Sequence, residues 1–208
     1  MFNLPRTTEI KKPVPKKLIY QKYAAELNAD KRDKFDDDIS RIVITNEISE
    51  HSINIKASEQ VSAIFVVQID LKSKKYNDRN IVLISKLFGQ RLLLVLHYEN
   101  EYQLAIYETK LLKSEWMKEE NIRLRLVGLD MNAVWEGMVS QVSGIIAEEG
   151  KTLDEQIRIE GEKEKIRKQL DDLERKARSE LQPKKKFELF QQIKEYQKKL
   201  EDMQTWKK

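Results

Sequence analysis

The last 58 residues of this chain leave it few ways to fold. Ile159, Ile166, Leu170, Leu173 and Ala177 recur at spacings of 7, 4, 3 and 4. After a break at Gln182-Pro183, Leu189, Ile193, Tyr196, Leu200 and Met203 recur at 4, 3, 4 and 3. These are heptad-type seams, so the segment is two helices, each with one apolar stripe to bury. Lys163 interrupts the first seam, and Gly161 lowers helix propensity there by roughly 1 kcal/mol. An antiparallel helical hairpin, seam on seam, satisfies both stripes within one chain. Pairing with a second chain as a coiled coil satisfies them equally well, and makes the protein an oligomerising adaptor.

Residues 1–150 follow a different pattern. The four prolines are Pro5, Pro13, Pro15 and Pro183, so residues 1–15 read as extended backbone. Pro15 is placed to open a short helix over KKLIYQKYAAEL. From Ala29 to Ile48, Phe35, Ile39 and Ile42 lie on one helical face, although the β-branched ISRIVITNEI can turn to strand. Ser52–Lys56 reads as a short strand. Val61–Leu71 reads as a strand buried on both sides at its middle. Asn77 or Asp78 caps a helix ending at Gly89. Arg91–Tyr98 and Tyr102–Lys110 flank Glu99-Asn100-Glu101 as a β-hairpin. Asn121–Val127 alternates like a half-exposed strand. Asp130 then caps a helix with Trp135, Met138, Val142 and Ile145 on its face. The expected fold is α+β: a small mixed sheet with flanking helices over residues 1–150, ending near Glu149-Gly150, and a helical hairpin over 151–208.

Composition removes several chemistries. There is no cysteine, which excludes disulfides, thiolate zinc sites and a cysteine nucleophile, and fits a cytoplasmic protein. The opening MFNLPRTTEIKK has no apolar core of signal-peptide type, and no apolar run approaches 18 residues. The six glycines are scattered and form no phosphate loop or dinucleotide turn. His51 and His97 show no zinc-binding spacing. No cofactor or metal is expected. Charge is uneven. Net charge is +4, but residues 1–30 carry six basic against three acidic residues, and 151–208 carry 17 against 13.

Two sets of candidate residues follow. Asp70-Leu71-Lys72 ends an apolar strand-like run. A carboxylate and a lysine two apart at a strand end are half of the metal site of a large nuclease superfamily. The upstream acid is missing, since neither Glu50 nor Glu59 stands on the preceding strand. A metal-dependent nuclease using Asp70 and Lys72 is therefore the alternative, and no catalytic residue is assigned. The second set is basic. Lys11, Lys12, Lys16 and Lys17 surround Pro13 and Pro15, and Lys184, Lys185 and Lys186 follow Pro183 at the expected hairpin tip. Both tracts suit a phosphate backbone or an acidic partner, or serve as solvated surface.

The opening MFNLPRTTEIKKPVPKKLIYQKY, the internal TNEIS and NIVLISKLFGQ, the hairpin HYENEYQLAIYETKL, the helix AVWEGMVSQVSGI and the tail TLDEQIRIEGEKEKIRKQLDDLERKARSELQPKKKFEL together resemble an uncharacterised bacterial domain-of-unknown-function family. The resemblance spans essentially the whole chain. It implies small cytoplasmic proteins, many encoded beside helicases and DNA methyltransferases of restriction or phage-defence loci. It carries no catalytic motif onto residues here. The function expected from it is a non-catalytic accessory subunit of a DNA-targeting complex. A helicase or methyltransferase is the partner, DNA a further contact, and no membrane is involved.

Overall fold

The computed structural model describes residues 2–146, 148 and 150–205; Glu149, at the expected boundary, lies outside them. The chain divides into two compact units, Met1–Ile145 and Ile146–Lys208. The first is built on a seven-stranded mixed sheet. The second holds the two C-terminal helices.

In the first unit, a 3-10 turn leads into β1 (Glu9–Pro13), followed by α1 (Lys16–Lys22), α2 (Ala29–Asp38), β2 (Ile39–Ser49), α3 (Glu50–Ile53) and β3 (Ala63–Leu71). Then come α4 (Asp78–Ser85), β4 (Arg91–Tyr98), β5 (Glu101–Tyr107), β6 (Leu111–Lys113), β7 (Met117–Lys118) and α5 (Met131–Ser143). The sheet runs β1-β2-β3-β4-β5-β6, with β7 also paired to β5. β3 and β4 are parallel, joined through α4, and every other pair is antiparallel.

Alternation along the strands sorts side chains to two cores. Ile42, Ile44, Val67, Ile69, Leu92, Leu94 and Leu96 form one cluster with Ile19, Phe35, Ile81 and Ile84 from α1, α2 and α4. Val66, Leu93, Val95 and Ile106 alternate with them along their strands and are also buried, as are Val134, Trp135 and Met138 of α5, which packs along β5 and β6. The centre of β3 is thus covered on both sides, which is why it reads as an almost unbroken apolar run.

Three elements differ from the sequence reading. The helix expected over 29–48 stops at Asp38, and Ile39 and Ile42 lie on β2. β-Branched side chains are stiff at χ1 and suit a pleated surface, and this strand pairs on both edges. Ser52–Lys56 is no strand. Ser49 and Ser52 form a capping box around the single turn α3, so local side-chain bonding prevails over the apolar alternation. Residues 121–127 keep the expected alternation, with Ile122 and Leu124 buried and Arg123 and Arg125 exposed, yet form no ladder. The Leu124 amide bonds Phe2 and the Arg125 amide bonds the Gln141 side chain. The helix starts match the sequence: Asn77 accepts from Arg79 and Asp130 accepts from Ala133. The end expected at Gly89 comes earlier, with α4 stopping at Ser85, and Gly144 closes α5 at φ +70°.

The β4–β5 hairpin turns on Glu99 and Asn100, since Tyr98 and Glu101 are register partners. Glu99 sits at φ +54°, a left-handed conformation that a side chain with a Cβ adopts at a cost. Glu99→Gly is expected to stabilise the protein by about 0.5–1 kcal/mol, raising Tm by roughly 2–3 °C in a thermal melt.

In the second unit, α6 (Leu153–Ser179) opens on a capping box between Thr152 and Glu155, and α7 (Pro183–Thr205) follows after three residues. Ile166, Leu170, Ala177 and Ile193 form a cluster with Leu173, Leu189, Tyr196, Leu200 and Met203. Seam packs on seam, as a hairpin within the chain. Lys163, which breaks the first seam, is buried and paired with Glu160 at 2.7 Å.

Candidate functional site

Asp70 lies at the carboxyl end of β3, opposite His97 of β4 in parallel register. Its Oδ1 accepts from Gln68 Nε2 at 2.7 Å and sits 2.9 Å from His97 Nδ1. His97 Nε2 lies 2.8 Å from the Glu99 carbonyl oxygen, and the ring stacks on Tyr102 at 4.6 Å. The imidazole thus stands between a carboxylate and a carbonyl, one at each ring nitrogen. Both ring nitrogens are used in tying the strand end to the hairpin turn, so the geometry gives His97 a positioning role. Burial, then the charges of Glu119 and Asp70, push the Tyr102 phenol above its ordinary value.

The neighbours of Asp70 complete the picture. Across β2 its register partner is Arg41, where a shared metal calls for a second acid. Lys72 is exposed beyond the strand, with its amide bonded to the Asp38 carbonyl. The Asp38 carboxylate accepts from the Asn77 amide and the Asn80 side chain, both at 2.8 Å, and Glu50 accepts from the Ala57 amide. Among the described residues, no three His, Cys, Asp or Glu side chains are grouped to hold a metal ion.

The four N-terminal lysines do not act as one patch. Lys16 reaches inward, donating to Asp36 Oδ1 at 2.6 Å and to the Ile39 carbonyl at 2.5 Å. Lys11 sits at φ +49° at a bulge in β1 and pairs with Glu9 at 3.4 Å. Lys12 and Lys17 are exposed. The first lysine pair thus lies on an edge strand of the sheet, and the second, in the first turn of α1, is split between the inward clamp of Lys16 and the exposed Lys17. The sequence marks both residues alike, because the inward turn of Lys16 depends on where α2 places Asp36.

Asp36 also accepts from Tyr20 at 2.7 Å. Burial alone raises the Asp36 carboxyl, but the hydrogen bonds from Lys16 and Tyr20 and the charges of Lys16 and Lys72 outweigh it and lower the net value. The same burial and the Asp36 bond push the Tyr20 phenol up. A carboxylate lowered on folding stabilises fully above its unfolded value, near 4, and loses that contribution as pH falls through the folded value. Asp36→Asn is thus expected to destabilise at pH 7 by no more than about 1 kcal/mol, since the pair is half exposed. Denaturant melts of the two proteins should converge as pH drops below the carboxylate range.

The hairpin tip gathers the remaining cations. Arg175, Lys176, Arg178, Lys184, Lys185 and Lys186 face one acid, Glu180, between positions 175 and 187. Arg175 pairs with Asp172 and Arg178 with Glu174. Lys184, Lys185 and Lys186 form no ion pair among the described residues. They occupy the first turn of α7, where the helix dipole disfavours positive charge. Beside them Leu181, Phe187 and Phe190 are 93%, 63% and 48% exposed. The lysines were evident in the sequence. The aromatic pair was not, since Phe187 and Phe190 lie off the seam and only the hairpin geometry shows them uncovered.

The family model for a domain of unknown function, DUF4391, matches residues 2–200. The chain belongs to the DUF4391 family. The match takes in the sheet unit and almost all of the hairpin, so in DUF4391 both are parts of one family pattern. No curated protein and no solved structure matches the chain. No helix among the described residues is long and apolar enough to cross a membrane.

Proposed function

We propose that this DUF4391 protein is a non-catalytic accessory subunit of a DNA-targeting bacterial defence or restriction–modification complex. Its sheet unit docks on a helicase or DNA methyltransferase, and its hairpin tip extends the contact. The observation that supports a binding role is the tip: three consecutive lysines in no ion pair among the described residues, set against the dipole of their own helix, beside three exposed apolar side chains. The family context suggested by the sequence supplies the kind of complex. At the strand end, Asp70 is engaged by His97 and Gln68 and faces Arg41, which favours structural use over catalysis.

The test is a charge reversal of Lys184, Lys185 and Lys186 to Glu. Capture of the helicase or methyltransferase from the native host should fall at least about tenfold, as for loss of a charged contact worth 1.4 kcal/mol or more. Thermal stability should hardly change, because exposed charges contribute little. DNA binding across a salt series is read in parallel. Three phosphate contacts correspond to a log–log slope near −2.7, which the variant would lose. Unchanged capture and unchanged slope would remove the tip from any contact and sink the reading.

A further inference from the structure

One face of the hairpin carries more than charge. Lys186, Phe190, Lys194 and Gln197 follow one another along α7 at spacings of 4, 4 and 3. With Ala177 and Arg178 of α6 they line a groove of about 410 Å³. Its floor is apolar, made by Ala177, Ile193 and the ring of Phe190. Its rim carries three cations and one acid: Lys186 and Lys194 form no ion pair among the described residues, and Arg178 is paired at 3.4 Å with Glu174, which also lines the groove.

We infer that this groove docks an acidic amphipathic helix of a partner protein, its aliphatic anchors on the Ala177–Ile193–Phe190 floor and its carboxylates on Lys186, Lys194 and Arg178. This rests on the accessory-subunit reading and names the chemistry of the partner's segment. Helix-in-groove recognition needs an apolar strip to take side chains at i, i+3 or i+4 and i+7, flanked by charge opposite to the ligand's. A second copy of this chain fits poorly. A two-fold contact sets the same patch against itself, so the cationic rims would face one another. A phosphate backbone would use the rim and leave the aliphatic floor without a role.

The full chain is titrated against three labelled probes by fluorescence anisotropy. One is a 20-residue peptide with Leu at alternating spacings of 3 and 4 and Glu at the flanking positions. The second is a scramble of that peptide, and the third is a 20-nucleotide poly-dT strand. The patterned peptide should saturate, with the scramble and the oligonucleotide at least about tenfold weaker. Phe190→Asp should weaken the patterned peptide about 30-fold, the scale of an anchor residue. The double change Lys186→Glu and Lys194→Glu should weaken it about tenfold or more. The three side chains lie outside the buried seam, and unchanged circular dichroism verifies that the variants fold. Absence of saturation, equal binding of the scramble, or tighter binding of poly-dT overturns the inference. So does a dimer in light scattering that Phe190→Asp dissociates. If reversing Lys184, Lys185 and Lys186 abolishes capture of the host partner while Phe190→Asp leaves it intact, the accessory reading survives and the groove does not.

Discussion

Leu170→Asp is expected to melt the hairpin while the seven-stranded unit stays folded. Leu170 is buried in the seam with Ile166, Leu173, Ala177 and Ile193. The change removes about 2–3 kcal/mol of apolar burial and puts an unpaired carboxylate where no cation answers it, which adds several kcal/mol more. Two helices that share one narrow seam have little with which to offset that. α6 and α7 hold 27 and 23 residues, more than half of the described α-helical residues. The helical signal at 222 nm should therefore fall by about half at 25 °C. Hydrogen exchange locates the loss: amides of 153–205 should exchange freely while those of β2 to β5 keep their protection. A chain ending at Gly150 should likewise remain folded. Uniform loss of protection in either protein would show that the hairpin belongs to the main core.

Glu108→Ala is expected to cost the sheet unit about 3 kcal/mol, the scale of leaving a buried donor without its charged acceptor. The Glu108 side chain is only 7% exposed. One Arg91 nitrogen reaches both of its oxygens, at 3.0 and 2.8 Å, and the Trp135 indole N–H donates to it at 2.5 Å. The guanidinium also lies over the Trp135 ring, 5.6 Å from its centroid. Removing the carboxylate strands an indole donor and a cation at the junction of β4, β5 and α5. In a domain of this size the loss corresponds to a fall in Tm of roughly 6–12 °C. Glu108→Gln keeps an acceptor for the indole and should cost about half as much. Thermal melts followed by near-ultraviolet circular dichroism would read both, since the signal of Trp135 reports its own site. A fall below about 3 °C for the alanine variant would mean that the network adds little.

The fold class was legible because its signals are local. Heptad spacing named the hairpin, and the apolar run of β3 announced a strand covered on both sides. Asn77 and Asp130 marked helix starts by residue type alone. What the sequence hid depended on distant partners. Ile39 and Ile42, three apart, fit a helical face; on β2 they reach the same core only because the register with β3 shifts between Ile39 and Arg41, and pairing with β1 and β3 makes the segment a strand. Ile122 and Leu124 alternate as in a strand, but the amides beside them are met by Phe2 and Gln141. The site shows the same division. Lys184 to Lys186 stood out as a run beside a proline. The engagement of Asp70 by His97, 27 positions on, appears only once β3 and β4 lie side by side.

The two margins of the sheet bear on how this chain behaves in a crowd. β1 is exposed along its length, but a bulge separates Glu9 from Lys12, Lys11 turns left-handed, and Pro13 has no N–H to offer. On the far side, β6 and β7 have three and two residues and share β5 as neighbour. Between them Ser114 bonds the Leu104 backbone. Neither border presents a long straight row of amides and carbonyls, the template on which strands of separate molecules zip together. Concentrated or freshly made chains therefore lack a ready route to edge-to-edge fibres, and the sheet can keep a nearly uninterrupted aliphatic centre without inviting its own copies to extend it.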